Sequence, residues 1–173
     1  MTDVDAEAIV IEQADYAVAE DATAVVELLQ DYALHPMGNG APLPEASLET
    51  LITRLMQLPG AFSLIARRQG QPIGLVNCLT SFSTFRGALR INIHDLFVRD
   101  RWQGGGVGHA LLEAVWQEAV RRKACAVTLE VRHDNAPACR LYSRFGFEGI
   151  GKPTAPLRAD GKPVHFFGVL PLV

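Results

Sequence analysis

The residues best placed for chemistry are four glycines, Gly104, Gly105, Gly106 and Gly108, set between an apolar β-branched run and an amphipathic one. The stretch 89–112 reads LRINIHDLFVRDRWQGGGVGHALL. Its first ten residues have the β-branched character of a strand, and residues from His109 onward carry helical spacing. Glycine lets the backbone approach a ligand with no Cβ in the way and adopts positive φ without strain. A helix opening on such a turn aims its unpaired N–H groups and the positive end of its dipole at one spot. Strand, turn and helix together predict an anion site suited to a phosphate or pyrophosphate. The plainer alternative is a glycine-rich connection that binds nothing.

Spacing separates the ligand classes that use glycine turns. A dinucleotide fingerprint needs G-x-G-x-x-G/A, but the sixth place from Gly104 is His109 and from Gly106 is Leu111. Starting from Gly105, the sixth place is Ala110, but Val107 then stands where the second glycine belongs. A nucleotide P-loop needs Lys and Ser or Thr after its last glycine, and neither follows Gly108. The pattern that fits is Q/R-x-x-G-x-G/A, read as Gln103-x-x-Gly106-x-Gly108. A second constellation lies downstream, with Asn135, Ala138, Tyr142, Gly146 and Phe147 at the spacing N-x-x-A-x-x-x-Y-x-x-x-G-F. Pro137 suits a first helical turn and Gly146 a helix stop. Ala138, Leu141, Tyr142 and Phe145 fall on one side of that helix. By itself Tyr142 reads better as a core aromatic.

Together the two patterns resemble the paired motifs of the GNAT superfamily of N-acetyltransferases, which bind acetyl-coenzyme A. The resemblance is well supported over residues 62–170 and rests on element order alone over 15–60. It implies an acyl-CoA N-acyltransferase fold and transfer of an acetyl group to a primary amine of a small molecule or peptide. It also implies roles. Gln103, Gly104, Gly105, Gly106, Val107, Gly108 and His109 would hold the pyrophosphate, with Gln103 adding a side-chain hydrogen bond where many relatives carry Arg. The backbone of Leu96, Phe97 and Val98 would pair with the pantetheine amides as an added strand does. An N–H of Phe97 or Val98 would polarise the thioester carbonyl. Asn135 and Ala138 would contact the pantetheine arm. Tyr142, with a phenol pKa of about 10, would protonate the departing thiolate.

The base is the open position. His94 and Asp95 precede the cofactor-binding part of the strand, and in a regular strand they face opposite ways. His94 titrates nearest neutrality; Glu130 on the next strand and a water relay are alternatives, and either residue of the pair also has a structural reading. Cys139 reads either as an acyl carrier or as a buried structural thiol, and without an adjacent His or Lys the sequence favours the second. Other readings of the whole are a non-catalytic acyl-CoA-binding domain, a different acyl donor, or a hydroxyl acceptor.

The elements that must position these residues follow from periodicity and punctuation. Residues 1–14 show no clear period and read as a tail, with one domain over 15–173. A short strand is expected at 16–19, a helix capped by Asp21 through about residue 35, a Pro/Gly loop at 35–44 and a helix over 45–58. Strands at 62–67 and 73–82 join through Gln69-Gly70 as a hairpin. The strand 89–98, the glycine turn and a helix ending near 121–123 follow. A strand at 126–132, the helix of the second motif, and strands at 147–151 and 165–170 around a loop at 152–163 complete the chain. The fold class is α/β (α+β): one mixed, mostly antiparallel sheet of about six to seven strands with helices on both faces.

Composition sets the outer bounds. With 173 residues and 49% apolar content the chain suits one domain with a sizeable core. It has no apolar run long enough for a membrane span, and its acidic start lacks the basic region of a signal peptide. Cys78, Cys125 and Cys139 form an odd, scattered set, which points to reduced thiols in a cytoplasm and to no metal. A net charge of −3 favours neither nucleic acid nor an anionic membrane as partner. A homodimer is left open.

Overall fold

The structure, a computed structural model, describes residues 8–151 and 164–172. In chain order the elements are β1 (Val10–Gln13), α1 (Ala19–Leu34), α2 (Glu45–Gln57), β2 (Phe62–Arg68), β3 (Gln71–Ser83) and β4 (Ala88–Val98). One 3-10 turn at Asp100–Trp102 leads to α3 (Val107–Arg121), β5 (Ala126–Arg132), α4 (Ala136–Phe145) and β6 (His165–Pro171). The strands form one six-stranded sheet in sequence order, β1 to β6. The pairs β1–β2, β2–β3 and β5–β6 are antiparallel, while β4–β5 is parallel. This is the mixed, mostly antiparallel sheet the sequence implies. The chain divides into two compact units, Met1–Cys78 with Asp95–Val115, and Leu79–His94 with Trp116–Val173, so β3 and β4 each contribute to both.

In the first unit the apolar side of α1 makes the core. Ala24, Val25, Leu28 and Leu29, at helical spacing, pack with Ala14, Ile65, Leu75 and Phe97, and Leu51, Ile52 and Leu55 of α2 cover them. Each fully buried Leu or Val there contributes about 1.5–3 kcal/mol. β2 is buried along nearly its whole length, which is why AFSLIA carries no clean alternation. The β2–β3 hairpin turns on Gln69 (φ 51°) and Gly70 (φ 75°), both left-handed as the twist of a two-residue turn demands. In the second unit β5 pairs with β4 over Arg90–Ile93 against Ala126–Leu129, and with β6 over its full length. Gly168 of β6 is where a Cβ has no room, since it would stand 2.9 Å from Ile150 Cδ1 and 3.1 Å from Leu129 Cδ1.

Three expectations change. The first strand is not at 16–19 but at Val10–Gln13, inside the stretch read as a tail, and it pairs with β2 from Val10↔Arg67 to Gln13↔Leu64. A four-residue edge strand is too short to show a period, and its partner fixes it. Val18, not Asp21, is the N-cap of α1. Asp21 instead accepts from the Asp15 N–H at 2.9 Å and pairs with Arg67 at 2.7 Å, serving the loop and a nearly buried guanidinium. The strand expected at 147–151 reduces to one bridge, Glu148↔Val169, because Gly149 (φ 90°) and Gly151 (φ 85°) take backbone that no strand accommodates. The loop expected at 152–163 lies outside the described residues.

The loop after α1 is seated through Gly38. A Cβ there would stand 2.0 Å from the Tyr32 carbonyl oxygen, whereas one on Gly40 would meet nothing within 4 Å. Gly38→Ala should therefore cost about 1–3 kcal/mol and lower Tm by roughly 3–10 °C. Gly40→Ala, whose only penalty is its φ of +68°, should cost less. Thermal unfolding of the two variants side by side checks the seating, and equal losses would refute it.

Candidate functional site

The first unit carries the end of β4 and the glycine turn. Arg99 fixes the strand end: its backbone N–H donates to Ile73 O at 3.0 Å, Nη1 to Pro72 O at 2.8 Å and Nε to Asp31 at 2.7 Å. Gly74 allows the close packing beneath, where a Cβ would lie 3.1 Å from Phe97 O. The chain then makes its 3-10 turn and reaches Gly104 (φ 76°) and Gly106 (φ 86°), two left-handed positions that only glycine occupies cheaply. A Cβ on either would meet no heavy atom within 4 Å, so the space above the turn is open. Gly106 O accepts from Ala110 N at 3.0 Å, which makes Gly106 the residue on which α3 opens. By helix geometry, the N–H groups of Val107 and Gly108, in the first turn, have no acceptor inside α3. Gly104, Gly105 and Gly106 are exposed, and Val107 is buried beneath them.

Gln103 is engaged within the chain. Its Nε2 donates to Val98 O at 2.9 Å and to Asp100 Oδ1 at 3.0 Å, so both amide hydrogens have partners within the chain. It braces the turn against the strand. Positive charge comes from a neighbour: exposed Arg101 lies with Cζ 4.7 Å above the Trp102 ring, and Arg68 lies 4.9 Å above the same ring. Beside the strand end is a cavity of about 350 Å³ lined by Asp31, Leu34, His35, Pro36, Phe97, Arg99 and Asp100. His35 and Pro36 begin the Pro/Gly loop expected at 35–44. Tyr32 stacks on Phe97 at 5.5 Å between ring centroids, and His35 meets Phe97 edge-on at 6.0 Å.

The three candidate bases have different surroundings. His94 is exposed. Asp95, on the opposite side of β4, is half-buried and accepts from Asn77 Nδ2 at 3.0 Å. Glu130 is exposed and sits opposite Phe167 in the β5–β6 register. Of these, Asp95 is the one that its surroundings hold. Asn77 itself went unnoticed in the sequence, as did Ser63 and Tyr16 linked to it; the available signal was a polar residue on the core-facing parity of an apolar strand.

The second unit carries α4. Asn135 is its N-cap, with Oδ1 accepting from Ala138 N at 3.2 Å, and Pro137 stands in the first turn. Two expected contact residues are thus joined to each other, and what Asn135 has left to offer a ligand is its Nδ2. Gly146, at φ 111°, ends the helix as the motif requires. Tyr142 is 6% exposed, its ring edge-on to Phe147 at 5.8 Å. The Cys139 thiol donates to Arg132 O at 3.6 Å. Burial, aided by the charge of Asp134, pushes the Cys139 thiol above its ordinary range, which suits a structural thiol and not a nucleophile. Among the described residues no group of three or more His, Cys, Asp or Glu is placed to hold a metal, and no helix is long and apolar enough to cross a membrane.

A mixed sheet in which a strand end feeds a left-handed glycine turn and a helix start defines the acyl-CoA N-acyltransferase fold. The chain belongs to the GNAT family of acetyltransferases, whose family model matches residues 22–147. It is similar to the streptothricin acetyltransferase of Escherichia coli, 36% identical over 56 residues (32% of each chain). It is also similar to the spermine/spermidine N(1)-acetyltransferase of Bacillus subtilis, 34% identical over 64 residues (36% of this chain and 42% of the relative). The matches span between 32% and 57% of the length of the curated relatives. Among solved structures, the fold matches yncA of Salmonella typhimurium with its cofactor acetyl-CoA, at TM-score 0.72 and 23% identity over 96% of this chain and 95% of that one. It also matches a chain of the NatC complex bound to Gag peptide and CoA, at TM-score 0.71 and 22% identity over 95% and 99%.

If Gln103 is a brace, its removal should loosen the turn and leave the sheet intact. In Gln103→Ala, hydrogen exchange of the amides at Gly104–Gly106 should speed by about fivefold, the effect of losing a hydrogen bond of about 1 kcal/mol. Exchange in β2 and β3 should stay as it was. Unchanged exchange at the turn would show that the two contacts do not hold it.

Proposed function

We propose that the protein transfers the acetyl group of acetyl-CoA to a primary amine of a small molecule or peptide, the amine attacking the thioester directly. The observation that carries this reading is the continuous run from Val98 to Gly108, in which a pinned strand end, two left-handed glycines under open space and a helix start follow one another. The N–H groups of Val107, Gly108 and His109, with the α3 dipole behind them, would bind the pyrophosphate. Arg101 would add the charge that Gln103 lacks. The backbone of Leu96, Phe97 and Val98 would take the pantetheine amides, and an N–H of Phe97 or Val98 would polarise the carbonyl. Asn135 would direct Nδ2 at the arm while its Oδ1 caps α4.

The acceptor's chemistry is read from charge and from relatives. An alkylamine has a pKa of about 10.4 and must lose a proton before it attacks. Asp95, oriented by Asn77, is the side chain we assign to that proton, with exposed His94 the next in line. Tyr142 would return a proton to the departing thiolate, as a phenol of similar acidity can. The cavity at His35 and Asp100 is where the acceptor would approach. Relatives named for streptothricin and for spermine or spermidine, and a neighbour solved with a peptide, support an amine acceptor.

An amine panel with acetyl-CoA and a thiol-detecting dye tests the reading: thiol release should require both substrates. Tyr142→Phe keeps the ring packing and removes the proton donor, so turnover with the best amine should fall about 10²-fold while the Kd for acetyl-CoA holds. Near-normal turnover would make Tyr142 a core residue only. Binding of acetyl-CoA without transfer to any amine or alcohol would point to a non-catalytic binder.

A further inference from the structure

A line of four polar groups crosses the first unit. The Tyr16 hydroxyl lies 2.7 Å from Ser63 Oγ, Ser63 Oγ donates to Asn77 Oδ1 at 2.5 Å, and Asn77 Nδ2 donates to Asp95 Oδ2 at 3.0 Å. Tyr16 precedes α1, and the other three stand on β2, β3 and β4. Ser63, Asn77 and Asp95 share the strand parity of Ile65, Leu75 and Phe97, the residues that pack under α1. Ser63 is fully buried and Asn77 is 6% exposed.

The direction of every hydrogen bond in the line follows from its end. An ionised carboxylate only accepts, so Asn77 must turn its NH2 to Asp95 and its carbonyl oxygen to Ser63. That oxygen only accepts, so Ser63 spends its hydroxyl hydrogen on Asn77. Ser63 Oγ must then receive from Tyr16. All three donors point one way, towards Asp95, and each polarises the next. Burial pushes the Tyr16 phenol above its ordinary range, which keeps it the protonated donor that the line requires.

Such a line is an expensive way to fill a core. A member left unmatched gives up its hydration and receives nothing in return, and apolar side chains at these positions would pack with no such exposure to error. Its one product is a carboxylate held in a fixed orientation on β4, one residue before the segment assigned to the acyl donor. We propose that Tyr16, Ser63 and Asn77 are positioning residues that set Asp95 to receive the ammonium proton of the acceptor. The proposal rests on the amine-transfer reading above and deepens it.

The test is a double-mutant cycle read in steady-state kinetics, with the Kd of acetyl-CoA measured on every variant. Asp95→Asn should lower kcat/KM for the amine about 10²-fold and Asn77→Leu about tenfold, with the acetyl-CoA Kd within twofold of wild type. The variant carrying both changes should be no worse than Asp95→Asn alone, because Asn77 acts only through that carboxylate. Tyr16→Phe keeps its ring and serves as a second probe if Asn77→Leu does not fold; its several-fold loss should also vanish in the Asp95→Asn background. Losses that multiply, or wild-type kinetics in both Asn77→Leu and Tyr16→Phe, would overturn the positioning role while leaving amine transfer standing. A wild-type protein that binds acetyl-CoA and releases thiol with no amine would overturn both.

Discussion

The end of β4 has to be immobile, and Arg99 makes it so. One residue reaches α1 through Asp31 and the start of β3 through Ile73 O and Pro72 O. The glycine turn begins only a few residues later, and glycine by itself confers freedom, not position. Gln103 carries the constraint onward by tying Val98 O to Asp100. A flexible backbone clamped at both ends presents its N–H groups at a fixed spot, which is what binding a diphosphate needs. Were the clamp absent, the same four glycines would be a loose connection, the plainer reading that the sequence left open.

The first unit also shows how a polar line is tolerated inside an apolar layer. Every atom between Tyr16 and Asp95 has its partner, so the cost of burial is offset by hydrogen bonds that strengthen one another in low dielectric. Placement on core-facing parity means that the line cannot relax into solvent, and orientation is therefore set by packing as well as by bonding. The second unit handles its cap differently. Asn135 satisfies α4 with its oxygen and keeps its side-chain nitrogen out of the cap, so capping the helix does not use up its donors. Cys139, one turn on, is half-buried, and that partial burial pushes its thiol above the ordinary range.

What was legible in the sequence is what local chemistry decides. β5 was read at its observed limits, and α4 was announced by Pro137 in its first turn and Gly146 at its end. The glycine turn carried its own geometry. What stayed hidden depends on pairing. β1 is four residues long and exists because β2 accepts it, so no internal period marked it. Asp21 satisfied the rule for a helix cap, but Arg67, 46 residues away, competes for it. Gln103 matched a motif position whose usual role is to face the ligand, yet its donors find nearer acceptors. Asn77, the hydrogen-bond partner of Asp95, meets it only because neighbouring strands bring the two together. Long-range partners of polar side chains are not encoded in any local window, and the fine structure of the site consists of them.

The central claim is that the turn from Gly104 to Gly108 binds the diphosphate of acetyl-CoA, and titration calorimetry with Gly108→Val tests it most directly. Gly108 sits in the first turn of α3 without a positive φ, so the substitution puts a side chain beside the anion site and asks no forbidden backbone of it. The account predicts a folded variant, with wild-type Tm to within a few degrees, whose affinity for acetyl-CoA falls tenfold or more. Undiminished affinity in that folded variant would contradict it.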